Sequence, residues 1–225
     1  MWTKAIIVPL HKKGDPSNID NYRGISLLSV LGKVFTFILN KRLTKWTDSN
    51  AVLSDAQAGF RKTYFTTDHI CTLYACTEKY VLRNGKFYVA YVDFSKALDT
   101  VQHPILWNIL LRAGVKGRMI RILKSMYSII KACVRCGNSC TEYLDCLQGL
   151  KQGCLLSPTL FCLLINELAH DMTSSGRHGV QFSPNDIEIC IVLFADDIIF
   201  CQPLLQVFKI SRMCCITVRK DVTWM

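Results

Sequence analysis

Long apolar runs are missing from this sequence of 225 residues, and charged residues are scarce at 20%. The two most apolar stretches lie around 154–165 and 187–200, and they are interrupted by residues that include Ser157, Pro158, Asp196 and Asp197. Neither stretch reaches the ~20 apolar residues that a membrane-spanning helix needs, so we expect no membrane partner. Half of the residues are hydrophobic, and this composition argues against disorder and predicts a sizeable core.

Acidic residues are also few. Lys and Arg total 27 against 17 for Asp and Glu, which gives a formal net charge of +10. Such a charge favours a polyanionic partner, nucleic acid first, although many basic proteins have none. The first 15 residues have too short an apolar stretch for a secretory signal, so we expect an intracellular protein, with nucleus and cytoplasm not distinguished. The sequence does not indicate the oligomeric state.

Cysteine, by contrast, is abundant, with 12 residues. Without a secretory signal these are expected to be reduced thiols. Four of them, Cys133, Cys136, Cys140 and Cys146, are grouped closely enough to raise a zinc site as an alternative, but their spacing is not a standard zinc pattern. Their segment alternates like a β-hairpin with its turn at 137–138, and we favour that interpretation.

The hydrophobic pattern predicts an α+β fold. Strands are expected at 5–9, 85–94, 187–194 and 198–201, with a hairpin at 131–146. Helices are expected at about 26–46, 66–83, 103–114, 116–130 and 157–175. A basic loop at 11–24 is expected to separate the first strand from the first helix. This order predicts a mainly antiparallel sheet with helices on one face.

The stretch IVLFADDIIF places Asp196 and Asp197 inside an apolar run. Two adjacent buried carboxylates repel each other, and each is costly to bury alone. The pair therefore fits an exposed turn between two strands, a contact with a basic partner, or a metal site. Asp93 repeats the pattern, because it follows another strongly apolar strand. If the three carboxylates meet at one sheet edge, divalent cations are the natural compensation.

Five segments resemble, in order, consecutive motifs of the reverse transcriptases of non-LTR (LINE-type) retrotransposons. The upstream segments are IIVPLHKKGDPSNIDNYRGISLLSVLGKVF and DAQAGFRKTYFTTDHI. The downstream segments are YVDFSKALDTVQHPIL, GLKQGCLLSPTLFCLLINEL and FADD. The resemblance covers about residues 5–202, and five motifs in the family's order make it highly specific.

The resemblance implies an RNA-directed DNA polymerase with a right-hand polymerase fold: fingers and palm, and an antiparallel palm sheet backed by helices. Residues 1–202 would form the reverse transcriptase domain, with fingers at about 1–86 and mainly palm at about 87–202. Residues 203–225 show no resemblance and are expected to be a divergent tail. Because no thumb segment is recognisable, we expect a fragment of a polymerase.

The family pattern also implies a metal site. Asp93 and Asp196 would be the principal ligands of two Mg²⁺ ions, with Asp197 beside them and Mn²⁺ as the alternative ion. The implied reaction transfers a nucleotide from a dNTP to a primer 3′-hydroxyl, with an RNA template and a DNA primer as partners.

Further positions match the family's nucleotide-binding residues. Arg23 matches the finger arginine that lies on the incoming triphosphate, and Lys12 and Lys13 precede it in the basic loop. Gln152 and Gly153 match the loop before the helix that lines the nucleotide pocket. An ordinary turn and solvated loop charges are the alternatives for these positions.

The sequence departs from the family pattern at the position that lies under the sugar of the nucleotide in the family. Leu98 stands where the family usually has Phe, the bulky gate under the sugar 2′ position. Phe94 is the alternative residue for closing the pocket.

Two groups of motif residues are expected to have no part in the chemistry. Asp99 is expected to cap the start of a helix. Gln57, Gly59 and Arg61 match a finger motif and are expected to serve architecture or template contact.

The sequence leaves two main hypotheses. The first is a reverse transcriptase fragment with an intact metal site, and the second is a catalytically inert retrotransposon remnant that only binds nucleic acid. A two-metal nuclease is a weaker third, because it leaves the ordered finger motifs unexplained.

Overall fold

The computed structural model describes residues 4–82, 85–94, 96–174, 179–182, 188–202 and 223–224. The chain divides into two compact units, each built from two chain segments. The first unit comprises Met1–Ser49 and Leu98–Phe161, and the second comprises Asn50–Ala97 and Cys162–Met225. The assignment of fingers to about 1–86 and palm to about 87–202 stays a prediction.

Helices and strands are interspersed along the chain. In chain order they are β1 (Lys4–His11), a 3₁₀ helix (Ile19–Asn21), β2 (Tyr22–Leu27), α1 (Val30–Ser49), α2 (Thr66–Val81), β3 (Tyr88–Val92), α3 (His103–Arg112), α4 (Gly117–Tyr127), β4 (Lys131–Cys136), β5 (Ser139–Cys140), β6 (Leu144–Asp145), α5 (Ser157–Ser174), β7 (Ile191–Phe194), β8 (Asp197–Gln202) and β9 (Thr223–Trp224). The α+β class and the predicted helices are therefore confirmed.

The first unit contains a five-stranded sheet with the order β2-β1-β4-β5, and β6 also pairs with β4. β4 and β5 form the predicted hairpin, whose turn contains Gly137 at φ +61°. β1 and β4 are parallel, with Lys4 opposite Lys131, so this sheet is less antiparallel than expected. Parallel strands need a long crossover connection, and here it includes β2, the four helices α1–α4 and β3.

The start of the first predicted helix is wrong. Residues 22–27 form β2, which pairs with β1 and places Ser26 opposite Ile7, and α1 begins only at Val30. Helical spacing of the apolar residues is present from Leu27 onward. Residues 22–27 nevertheless form a strand, because their backbone makes cross-strand hydrogen bonds with β1. Tertiary pairing therefore overrides the local helical pattern.

The second unit contains the four-stranded sheet β7-β8-β3-β9, in which every pairing is antiparallel. Its central strands are apolar, and Ala90, Ile198 and Phe200 are almost fully buried. This is the predicted antiparallel sheet. Most of the predicted tail, 203–225, lies outside the described residues, and β9 pairs with β3 at Ala90 and Tyr91.

The core of each unit includes part of α5. Leu160 and Phe161 belong to the first unit, Leu163 and Ile165 belong to the second, and all four are at most 2% exposed. A helix that is apolar on all sides is expected to lie inside a protein. None of the helices in the described ranges has the length and apolar character needed to cross a bilayer.

The zinc alternative finds no support. Cys133 is buried, whereas Cys136 and Cys140 are exposed. Over the described part of the chain, no three His, Cys, Asp or Glu side chains are arranged to hold a metal ion by themselves. The four cysteines at 133–146 therefore belong to a hairpin and its flank.

Candidate functional site

Three carboxylates lie at one end of the sheet of the second unit. Val92, the last residue of β3, pairs with Ile198 of β8. Asp93 follows Val92 and Asp197 precedes Ile198, so this antiparallel register brings them to neighbouring positions, and Asp196 lies in the turn before Asp197. We call Asp93, Asp196 and Asp197 the carboxylate turn.

The charges of the carboxylate turn act on one another. Partial burial raises the pKa of Asp197, and the negative charges of Asp196 and Asp93 raise that pKa further. Asp93 and Asp197 are exposed and Asp196 is half-buried, so a cation can reach them. This is the local excess of negative charge that a divalent cation would relieve.

The donor chemistry of the carboxylate turn fits magnesium. Mg²⁺ prefers oxygen ligands, and proteins usually hold it through one or two carboxylates while water and substrate phosphates fill the other positions. Such a site does not need three protein ligands. The carboxylate turn supplies the right donor atoms, and the mutual repulsion of its charges, which raises the pKa of Asp197, is the structural observation that fits a bound cation.

The turn that carries Asp196 has a strained backbone. Phe194 of β7 pairs with Asp197 of β8, so only Ala195 and Asp196 connect the strands. Ala195 has φ +60°, at a position that glycine usually takes in two-residue hairpin loops. A left-handed conformation costs a non-glycine residue about 1–2 kcal/mol. Contacts elsewhere in the unit must therefore hold this turn.

Gln57 supplies these contacts. Its side chain is fully buried, and its Oε1 accepts hydrogen bonds from the backbone N–H groups of Gly59 and Ala195, at 2.8 and 3.1 Å. Backbone bonds continue the attachment, because Ala58 N donates to Leu193 O at 2.9 Å and Leu193 N donates to Ala56 O at 2.8 Å. Segment 56–58 thus lies along the end of β7 as an added strand.

Gly59 allows the close approach of the two backbones. A Cβ at this position would lie 2.2 Å from Ala195 N. On its other side, the Gly59 carbonyl accepts a bond of 3.3 Å from the Cys162 thiol. Gly59 and Gln57 therefore have the architectural role expected for them.

Arg61 is also held internally. Its guanidinium donates to the carbonyls of Ser54 and Gln57, at 2.8 and 3.0 Å. It also lies over the ring of Tyr64, 3.8 Å from the ring centroid. These contacts fix the segment that carries Gln57, so Arg61 supports the carboxylate turn through that segment.

In the first unit, Gln152 is held by an acidic side chain. Its Nε2 donates to both carboxylate oxygens of Asp99, at 3.0 Å each. Around it, Leu150 N donates to Leu98 O at 2.7 Å and Gly149 N donates to Val101 O at 2.8 Å. We call residues 149–153 the Gln152 loop.

The expectation that Asp99 caps a helix is wrong. α3 begins at His103, and its N-cap residue is Gln102, which makes no capping bond with its side chain. Asp99 lies three positions before this N-cap residue, and its carboxylate accepts a hydrogen bond from Gln152. No local pattern in the sequence predicts the contact between Asp99 and Gln152, because the two residues are 53 positions apart.

Gly153 lies against backbone. It has φ +100°, and a Cβ there would lie 3.0 Å from Ser26 O. Ser26 N donates to Gln152 O at 2.9 Å, so β2 holds the end of the Gln152 loop. The close approach at this glycine is therefore toward the backbone of β2, and a contact of Gly153 with a nucleotide stays a prediction.

The other candidate nucleotide-binding residues differ in exposure. Arg23 lies on β2 opposite Leu10, and its side chain is exposed. Lys12 and Lys13 are exposed as well, and their loop is closed by a bond of 2.8 Å from Lys12 N to Asn21 O.

The two residues proposed near the sugar also differ. Leu98 is half-buried in the first unit, whereas Phe94 in the second unit is only 3% exposed.

Comparison with known protein families shows to which family the chain belongs. The family described as reverse transcriptase (RNA-dependent DNA polymerase) matches residues 10–212, which is most of the chain. The chain belongs to the reverse transcriptase family.

Curated relatives of this reverse transcriptase chain come from mobile elements. The Pol polyprotein of the type-1 retrotransposable element R2 of Popillia japonica is 28% identical over 89% of the chain. The RNA-directed DNA polymerase of the mobile element jockey of Drosophila melanogaster is 27% identical over 87%. The chain spans 28% and 21% of the lengths of these two relatives. The predicted relationship to non-LTR retrotransposons is confirmed.

Solved structures of telomerase share the fold of this reverse transcriptase chain. The telomerase of Candida albicans, in complex with the TWJ fragment of telomeric RNA, aligns with a TM-score of 0.68 at 14% identity. The alignment covers the whole of this chain and 43% of the telomerase chain. The telomerase of Candida tropicalis aligns with a TM-score of 0.67 and covers the whole chain too. The right-hand polymerase fold is therefore confirmed, and the site residues stay predictions.

Proposed function

We propose that this chain is the nucleotidyl-transfer segment of a reverse transcriptase. It would extend the 3′-hydroxyl of a DNA primer with dNTPs, directed by an RNA template. Membership in the reverse transcriptase family supports this function. The single observation that carries it is the register of β3 and β8, which brings Asp93 next to Asp197 and to the turn that contains Asp196.

Asp93 and Asp196 would hold the Mg²⁺ ions, or Mn²⁺ in their place, and Asp197 would add negative charge beside them. When bound, two such cations stabilise the attacking and leaving oxygens of a phosphoryl transfer. The protein's own part is to hold the two carboxylates in place. Gln57 contributes to this, because it holds the backbone of Ala195 next to Asp196.

The remaining candidate residues would bind the nucleotide. Arg23 is an exposed, permanently charged fork that suits a triphosphate, and the exposed Lys12 and Lys13 would add positive charge nearby in the sequence. Gln152 would contact the nucleotide from a loop that Asp99 and Ser26 hold in place.

Leu98 would limit the space at the sugar, with Phe94 as the alternative residue. Leu98 is half-buried and more compliant than an aromatic ring, and its carbonyl is tied to Leu150 N.

Nucleic acid is the proposed partner, as an RNA template paired with a DNA primer. The net charge of +10 suits a polyanion. Relatives named RNA-directed DNA polymerases support this partner, as does the telomeric RNA in the Candida albicans complex.

Primer extension on poly(rA)–oligo(dT) with Mg²⁺ and dTTP tests the proposal. Asp93→Asn and Asp196→Asn should each lower extension at least about a hundredfold, because electrostatic groups at a reacting centre contribute on that scale. Asp171→Asn, at an exposed position of α5, is the matched control and should leave the rate unchanged.

Binding of the same duplex, measured separately, distinguishes the two hypotheses. A wild-type chain that binds poly(rA)–oligo(dT) but extends no primer would be the inert remnant. Extension that survives in both aspartate variants would place the chemistry at another site.

A further inference from the structure

The amide of Gln152 can face Asp99 in one orientation only. A carboxylate accepts hydrogen bonds and cannot donate them when ionised, so the NH₂ group of the amide must be the part that meets it. This is the observed arrangement, with Nε2 at 3.0 Å from both oxygens of Asp99. The carbonyl oxygen of the amide is therefore directed away from Asp99.

We propose that Asp99 is a positioning residue for nucleotide binding: it orients Gln152 so that the side-chain carbonyl oxygen is available to accept a hydrogen bond from the substrate. This inference rests on the proposed function, in which Gln152 contacts the nucleotide. An unrestrained amide could rotate by 180° and present NH₂ instead, because its two ends have nearly the same shape. Asp99 removes that alternative and selects for a hydrogen-bond donor on the ligand.

The backbone around Asp99 is held in register with the Gln152 loop. Leu98 and Val101 accept bonds from Leu150 and Gly149, at 2.7 and 2.8 Å. Gly149 has φ +93°, and a Cβ there would lie 2.9 Å from the Asp99 carbonyl oxygen. Backbone contacts on both sides of Asp99 thus fix its carboxylate relative to Gln152.

His103 adds a second attachment at the first turn of α3. Its Nε2 lies 2.8 Å from the Gly149 carbonyl oxygen, and its ring is buried against Tyr127. The segment 98–103 is therefore attached to the Gln152 loop at Leu98, Val101 and His103. These attachments position Asp99 independently of its bond to Gln152.

Fold stability alone is a weak explanation for this contact. Asp99 is exposed and Gln152 is half-buried, and a solvent-exposed hydrogen bond contributes little to folding because water competes for both groups. The backbone bonds described above already hold the loop. What the carboxylate adds is the orientation of one amide, which matters for a ligand and not for the core.

A reciprocal substitution tests the proposal with the full chain. The variants are Asp99→Asn, Gln152→Glu and the double variant, and Asp48→Asn is the control, because Asp48 is an exposed aspartate on α1 of the same unit. The readouts are the affinity for dTTP in a complex with poly(rA) and a dideoxy-terminated oligo(dT), the KM and kcat of extension, and the thermal midpoint.

Asp99→Asn should weaken dTTP binding and raise KM about fivefold, as expected when a charged acceptor is replaced by a neutral one. The kcat should change less than the KM, and the thermal midpoint should stay near that of Asp48→Asn. Gln152→Glu should weaken binding more, because two carboxylates would then meet at the distance of a hydrogen bond. Adding Asp99→Asn to Gln152→Glu should raise the affinity for dTTP at least about fivefold above that of Gln152→Glu, since the asparagine NH₂ can donate to the new carboxylate.

Each contrary result has a separate meaning. A wild-type chain that neither binds dTTP nor extends the primer overturns the proposed function and this inference with it. A wild-type chain that extends normally while Asp99→Asn keeps the wild-type KM overturns the inference alone. So does a double variant that binds no better than Gln152→Glu, or a loss of activity that only follows a lowered thermal midpoint.

Discussion

The side-chain oxygen of Gln57 accepts a hydrogen bond of 3.1 Å from the backbone N–H of Ala195, which is 138 positions away in the sequence. Ala195 has a left-handed backbone at φ +60° and precedes Asp196. The glutamine is fully buried, so water cannot replace it as a partner. The geometry of the carboxylate turn therefore depends on a residue from a distant part of the chain.

Gln57→Leu should lower the free energy of unfolding by about 2–4 kcal/mol, because it leaves two buried N–H groups without an acceptor. Urea denaturation measures this change. Gln102→Leu is the matched control, since Gln102 is exposed and its side chain makes no capping bond; it should change stability by less than about 0.5 kcal/mol. Equal effects of the two substitutions would show that the Gln57 amide does not hold the turn.

Gly59→Ala should destabilise the chain by at least about 3 kcal/mol, because the added Cβ would lie 2.2 Å from the backbone nitrogen of Ala195. Gly32→Ala is the contrasting substitution. Gly32 lies in α1, where a Cβ would meet only the Ser29 hydroxyl at 3.0 Å. There alanine should be neutral or stabilising by up to about 1 kcal/mol. Thermal or urea unfolding of both variants tests the expected difference in sign.

Lys12→Gln with Lys13→Gln should reduce the salt dependence of nucleic-acid binding. Each phosphate contact contributes about 0.7–0.9 to the slope of log affinity against log salt concentration. The double variant should therefore lower the slope by about 1.5. Lys41→Gln with Lys45→Gln, on the exposed face of α1, makes the same change of charge. If both double variants flatten the slope equally, the positive charge acts diffusely and the loop at 12–13 has no special part.

Leu98→Phe should make the polymerase more selective for deoxyribonucleotides, provided that the wild-type chain extends primers. A rigid ring excludes a ribose hydroxyl better than the smaller, more compliant leucine, since a pocket that tolerates the extra hydroxyl discriminates by only about a hundredfold or less. The ratio of kcat/KM for dNTP over rNTP should rise at least about tenfold, or ~1.4 kcal/mol. An unchanged ratio would remove Leu98 from the sugar site and favour Phe94.

Native alkylation should separate the buried from the exposed cysteines. Burial raises the pKa of Cys162 and Cys201 to about 12, so at pH 8 their thiolate fraction is about a thousandfold below that of an ordinary thiol. The exposed Cys71 and Cys136 should react with iodoacetamide first, as read by mass spectrometry of peptides. Rapid labelling of Cys201 in the native state would contradict the buried position of β8.

The same two thiols predict the effect of alkaline pH on stability. The folded state keeps the protons of Cys162 and Cys201 at pH values where the unfolded chain releases them. Their contribution to the free energy of unfolding is therefore fully present below about pH 9. It should be lost progressively as the pH rises toward 12.

Local pattern in the sequence was enough for much of the fold and of the candidate site. Asp93 could be placed at the end of an apolar strand, and Asp196 and Asp197 at a turn between two more, because strand length and turn position follow from neighbouring residues. The hairpin at 131–146 and the helix from Ser157 were predictable for the same reason. Motif order then sufficed for the family, since its residues occur at fixed spacings.

Only the tertiary structure decided which distant groups meet. Residues 26 and 27 begin the predicted first helix and still belong to a strand, because β1 offers them hydrogen-bonding partners. Gln57 and Asp99 look like ordinary polar residues, yet one binds Ala195 and the other binds Gln152. A side-chain amide can find its partner on any backbone or side chain that folding brings within about 3 Å. The periodicity of apolar residues and the residue types at turns do not predict that partner, because they depend on residues only a few positions apart.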